Sequence, residues 1–179
     1  VIFYFTDDEM RWVRRWAEER HGSHRPEDER KFTKKYTGIQ IHTLGIKAEF
    51  AIYQTIGGKW LRYDESKTDP GWEIVDPFGL KIQVKGSFTP RADFYPRNGE
   101  AKKWDIGVGV SAIRDVEHMT INGFIRLDKF KKLARDKRFG KESDGYNVVK
   151  TVGAEHLTPI QELHPGESRL PPNIWELHT

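Results

Sequence analysis

Three residues near the middle of the chain, Glu73, Gln83 and Lys85, have the types and the spacing to do chemistry together. They lie in the run Gly71-Trp72-Glu73-Ile74-Val75-Asp76-Pro77-Phe78-Gly79-Leu80-Lys81-Ile82-Gln83-Val84-Lys85-Gly86. A carboxylate, an amide oxygen and an ammonium on adjacent strands can hold a divalent cation beside a phosphate. That use requires all three to project from one face of the same hairpin.

The elements that must position them can be read locally. Leu80, Ile82 and Val84 alternate with Lys81, Gln83 and Lys85, the period of a half-buried strand. In Asp76-Pro77-Phe78-Gly79 each residue sits where a type I turn wants it: Asp opens the turn, Pro pre-sets φ, and Gly takes the left-handed position. A three-residue loop of this kind pairs Asp76 with Leu80, Ile74 with Ile82 and Glu73 with Gln83. Trp72, Ile74, Ile82 and Val84 then share one face, and Glu73, Gln83 and Lys85 the other. A slip of one residue would carry Glu73 to the apolar face. Asp64, Asp69 and Asp76 are rival acids. Asp76 is already accounted for as the turn starter, Asp64 sits too early, Asp69 is an outer contributor, and Glu73 is the choice, with Asp69 and Asp76 left open as the hairpin ligand.

This arrangement resembles the core of the PD-(D/E)xK nuclease superfamily, in which an acid on one strand and a (D/E/Q)-x-Lys tripeptide on the next bind Mg²⁺ and activate water. Here the tripeptide is Gln83-Val84-Lys85, and Asp69-Pro70-Gly71-Trp72-Glu73-Ile74 looks like the D-x-G-x-D-(I/V) segment of Mrr-like members, which also use Gln-x-Lys. The chain departs from the usual pattern twice, with Glu73 for the hairpin Asp and Gln83 for the second acid. Upstream, Gly45-Ile46-Lys47-Ala48-Glu49 resembles the Gly-x-x-Ala/Gly-Glu pattern of the superfamily's first core helix, and the likeness makes Glu49 an additional acidic ligand. The resemblance covers about residues 38–150.

The likeness implies an α/β fold: a restriction-endonuclease-like core with a central mixed β-sheet flanked by helices. It further implies an Mg²⁺- or Mn²⁺-dependent deoxyribonuclease, expected to be an endonuclease, with exonuclease action and RNA left open. Glu49 and Glu73 would hold the metal directly or through water. The Gln83 side-chain oxygen and the Val84 carbonyl would complete the shell. Lys85 would activate the attacking water or neutralise the developing charge. By analogy with the family, a virus or mobile element is a plausible source. The competing reading is a non-catalytic nucleic-acid-binding module on the same fold, and a protein-interaction domain is the third.

Composition bounds these readings. The chain has 179 residues, enough for a single domain, here divided into a helical extension (1–36), a catalytic core (37–150) and an extended tail (151–179). It has no cysteine, which excludes disulfides, thiolate metal sites and a cysteine nucleophile and suits a cytoplasmic setting. No apolar run is long enough to span a bilayer, so no membrane association is expected. The net charge of +3 permits a DNA partner without announcing one, and a homodimer stays open.

Thr6 to Glu9 reads as a capping box ahead of Trp12, Val13, Trp16 and Ala17 at helical spacing. A second helix is expected over Thr37 to Tyr53, stopped by Gly57-Gly58. His21 and His24 fall in what reads as a loop and lack a third ligand. Residues 87–103 read as a long basic and aromatic loop in which Arg91 and Arg97 can meet phosphates and unstacked bases. Asp128 should cap a helix that presents Lys129, Lys132 and Arg135 as a basic, nucleic-acid-binding face.

Overall fold

A computed structural model describes residues 1–23, 36–61, 70–96, 103–112, 117–139 and 147–164. His24, Asp64, Asp69 and Arg97 therefore lie outside the described residues. The chain opens with β1 (Ile2–Tyr4) and α1 (Asp7–Ser23), continues through α2 (Gly38–Ile56) and β2 (Lys59–Trp60), and reaches the hairpin of β3 (Ile74–Val75) and β4 (Lys81–Ser87). Then come β5 (Ile106–Ser111), β6 (His118–Arg126), α3 (Leu127–Leu133), β7 (Arg135–Phe139) and β8 (Asn147–Thr151). Six strands form one mixed sheet in the order β1-β6-β5-β4-β3-β2, with β4 and β5 parallel and the other neighbours antiparallel. β7 and β8 pair as a separate antiparallel ribbon.

Local signals explain the helix starts. Thr6 and Glu9 exchange the bonds of a capping box: the Thr6 amide donates to Glu9 Oε2 (2.7 Å), and the Glu9 amide to Thr6 Oγ1 (3.3 Å). Thr37 and Gln40 repeat the device at α2, and the Gly57 amide closes that helix on the Tyr53 carbonyl (2.8 Å). α1 runs farther than its apolar spacing suggests, so His21 belongs to its last turn and lies beside His42.

α2 crosses the sheet on its small residues. A Cβ at Gly86 would stand 3.1 Å from Leu44 Cγ and 3.2 Å from Ala48 Cβ, so the side chains of α2 rest directly on the strand backbone there. Ile74, Ile82, Val84, Ile106, Val108 and Val110 fill the same core as Leu44, Ala48, Ala51 and Ile52. Each such aliphatic side chain, fully buried, contributes about 1.5–3 kcal/mol.

The opposite face of the sheet is also covered, and here the half-buried strand is corrected. β4 is a central strand, and Gln83 has 0% exposure. Described parts of the connection between β4 and β5 lie on this face. Phe94 packs on Gly107, where a Cβ would lie 2.3 Å from its ring, and joins Trp104, Ile125, Phe130 and Val152 in a second core. Trp72 packs against this second core, and the Lys81 ammonium lies over its ring at 5.5 Å, so it does not share the face of Ile74. Parallel neighbours are normally buried on both sides, and alternation cannot reveal this because the second layer comes from distant chain.

Two other expectations change. Asp128 does not cap the basic helix: α3 starts at Leu127 with Arg126 at its N-cap and no side-chain cap bond, and Asp128 lies in its first turn. The helix is also short, ending at Leu133 before the strand Arg135–Phe139, because pairing with residues 147–151 competes with helix continuation. Part of the segment read as a tail is built into the body. Thr158 bridges Phe124, and Ile160 and Leu163 are buried in the first core.

Candidate active site

The hairpin has the register that its turn demands. The Gly79 amide donates to the Asp76 carbonyl and the Asp76 amide to the Leu80 carbonyl, both at 3.0 Å, with Gly79 at φ 84°. Ile74 faces Ile82, and Val75 faces Lys81. Asp76 is an organiser of the turn. Its Oδ1 accepts the amides of Phe78 (2.9 Å) and Leu80 (2.8 Å), and its Oδ2 contacts His164 Nε2 at 2.7 Å in a pocket where Asp76 is 3% exposed.

Past Ile74 the ladder changes. Counting two steps at a time from the bonded pair Asp76–Leu80, a regular ladder would send the Val84 amide to the carbonyl of residue 72. Instead the Val84 amide donates to Glu73 Oε2 at 2.7 Å. The Glu73 amide donates to the Ile82 carbonyl (2.9 Å), and the Glu73 carbonyl accepts the Leu61 amide (2.9 Å). The Glu73 carboxylate thus closes the edge of the tripeptide strand at its middle residue. This bond brings Glu73 against Val84, which Gln83 and Lys85 flank along the strand. Lys85 is half-buried, pairs with Gly109 across the parallel ladder, and by alternation shares the face of Gln83.

Glu49 starts from the other face. Its Oε1 accepts from Arg20 (3.2 Å) and its Oε2 from Trp60 Nε1 (3.1 Å), and it is only 7% exposed. Trp12, Trp16, Phe50 and Trp60 pack ring to ring around this bridge. α2 lies over the face of Ile82, Val84 and Gly86, so Glu49 and the Gln83 side chain project from opposite sides of the sheet. The structure gives Glu49 a bracing role between α1, α2 and β2. Its partners were invisible in the motif: Arg20 is 29 residues away and Trp60 is 11 away.

Among the described residues, no group of three or more His, Cys, Asp or Glu is disposed to hold a metal ion. The donors around Val84 are a carboxylate, an amide and a backbone carbonyl, all hard oxygens. Such a set suits Mg²⁺ or Mn²⁺, since Mg²⁺ is commonly held by one or two carboxylates, retained waters and substrate phosphates. The basic candidates are dispersed. Arg91 is exposed at φ 50°, in the left-handed region, on the turn after β4. Lys129 donates to the His156 carbonyl (3.1 Å), and Lys132 and Arg135 are exposed where α3 gives way to β7. Burial raises the Tyr53 phenol above its ordinary pKa on the buried side of α2.

Sequence reading passed over Ser111 and Asn122. Both lie on the Lys85 side of the sheet, where Asn122 Nδ2 donates to Ser111 Oγ at 2.7 Å. The nearest signal was Gly123 in an otherwise regular strand pattern. Among the described residues, no helix is long and apolar enough to cross a membrane. Compared with known proteins, the sequence matches no family model and no curated protein.

Proposed function

We propose that this protein is a metal-dependent nuclease that hydrolyses phosphodiester bonds of DNA on a restriction-endonuclease-like core. The observation that carries this reading is the 2.7 Å bond from the Val84 amide to the Glu73 carboxylate, which fixes the hairpin acid against the Gln83-Val84-Lys85 strand. Glu73, Gln83 and the Val84 carbonyl are the groups that would hold Mg²⁺ or Mn²⁺. A bound cation of this kind lowers the pKa of water and offsets phosphoryl charge. Lys85, two positions beyond Gln83, supplies a positive charge for the phosphorane or orients the attacking water. Glu49 contributes by fixing Trp60, and with it the end of β2 beside Glu73. Arg91, Lys129, Lys132 and Arg135 supply phosphate contacts.

The test is cleavage of linear, supercoiled, single-stranded and branched DNA with Mg²⁺, Mn²⁺ or EDTA. Lys85→Ala should lower turnover roughly a hundredfold or more, with little change in DNA affinity. Undiminished cutting by that variant would remove Lys85 from the mechanism. One observation favours a second reading, a binding module without catalysis: both Glu49 oxygens are engaged by Arg20 and Trp60. Salt-sensitive DNA binding with no cutting under any metal would select it.

A further inference from the structure

Beyond β4 the chain turns on a residue whose side chain opposes the conformation. Pro90 and Arg91 are the central residues of the turn that follows Ser87, and Arg91 has φ 50°. Proline followed by a left-handed residue is the type II arrangement, whose second place usually goes to Gly or Asn because a Cβ is strained there. Among the described residues Arg91 is the single non-glycine with positive φ. It is exposed and enters none of the hydrogen bonds or ion pairs among them; the neighbouring acid, Asp93, is taken by Lys137 at 2.7 Å. Strain of this kind, securing no contact within the fold, is characteristic of residues kept for a ligand.

The turn stands at the approach to Lys85. Towards β5 and β6 the face of Lys85 is closed, because Leu157 lies over Gly109 and Thr158 over Gly123. Phe94 closes it over Gly107, the partner of Gln83. The remaining direction is along β4 itself. Among the described residues β3 pairs with β4 only at Lys81 and Ile82, and Glu73 caps the Val84 amide. From there exposure rises, from half-buried Lys85, Gly86 and Ser87 to exposed Thr89, Pro90 and Arg91.

We infer that Arg91 is the positioning clamp of the strand to be cut, gripping a backbone phosphate a few nucleotides from the one that Lys85 meets. Its planar fork matches a phosphate bidentately. Ser87 lies two residues on from Lys85, about 6.6 Å along the strand. That is about two of the 3.4 Å steps between phosphates along one strand of a duplex, so the clamped phosphate is roughly two to four positions from the cut. Arg91 is thereby set apart from Lys129, Lys132 and Arg135, which lie on and just after α3. The inference rests on the nuclease reading for what Lys85 does to the strand.

The experiment titrates a fluorescein-labelled DNA duplex by anisotropy in EDTA over a range of salt, beside cleavage in Mg²⁺ and thermal unfolding. Arg91→Gly should weaken binding roughly fivefold and lower the slope of log affinity against log salt by about 0.9, one phosphate contact. Its Tm should not fall, since Gly fits the turn. Arg91→Lys should keep the slope and recover part of the affinity. In cleavage Arg91→Gly should raise KM more than it lowers kcat. Replacing single phosphates by methylphosphonate should weaken wild-type binding at one position where Arg91→Gly is indifferent. A changed slope in a protein that cuts nothing would uphold the clamp while ending the nuclease reading. Cleavage with the slope and KM of Arg91→Gly unchanged would do the reverse. A lowered Tm with an unchanged slope would overturn the clamp and make Arg91 a structural residue, and no binding of DNA by the wild type would overturn both.

Discussion

Replacing Glu73 by Gln and by Ala separates what its carboxylate does for the strand from what it does for a cation. The Val84 amide is held by a charged acceptor at 2.7 Å. Bonds to charged groups contribute about 1.5–3 kcal/mol, and neutral ones about 0.5–1.5 kcal/mol. Glu73→Gln keeps an acceptor and should cost about 1 kcal/mol, or roughly 2–4 °C in Tm for a domain of this size. Glu73→Ala removes the acceptor beside a residue that is 5% exposed, and should cost about 2–3 kcal/mol. Urea titration reads both values. Nicking of supercoiled DNA in Mg²⁺ reads the other role, and there the two variants should be alike, each reduced roughly a hundredfold or more because both lose the anionic donor. A Glu73→Gln protein that cuts at the wild-type rate would refute the metal assignment and leave Glu73 as a strand anchor.

Gly107→Ala would force a methyl into the Phe94 ring, 2.3 Å from its nearest carbon. The cost should be about 1–3 kcal/mol, seen as a lower Tm, and an unchanged Tm would show that the cover over Gln83 is loose. Tyr53 gives a signed dependence on pH. Its folded pKa is raised above the unfolded 10.0 by burial, so below pH 10 its contribution is fully present. As pH climbs past 10 the unfolded chain loses that proton first and stability falls until the buried phenol titrates. Tyr53→Phe should flatten this alkaline decline in denaturant titrations, and an identical decline would remove Tyr53 from it.

The hairpin register and the ends of α1 and α2 were legible because short-range chemistry sets them. Asp-Pro-Phe-Gly admits few turns, and Thr with Glu or Gln three residues on marks a helix start. The burial of Gln83 was not legible. A strand with one wet face and a strand with two dry faces can share the same alternation, and the layer over Gln83 includes Phe94, Trp104 and Phe130, which no local rule links to it. The partners of Glu49 were hidden by the same logic: a Gly-x-x-Ala-Glu pattern fixes its place on α2 but not the Arg20 and Trp60 that bond its carboxylate. Arg135 to Phe139 has no apolar period of its own, so a partner strand decided its form.

The clasp between Asp76 and His164 has a consequence for the order of events during synthesis. It joins residues 88 positions apart, so the turn that sets the site's register is secured last by chain made long after it. At about 5–20 residues per second, roughly 4–18 s separate the two on the ribosome. Contacts this distant in sequence are slow to form because loop closure precedes any reward. A nascent chain holding Glu73, Gln83 and Lys85 therefore has its chemistry encoded but unlatched until His164 arrives.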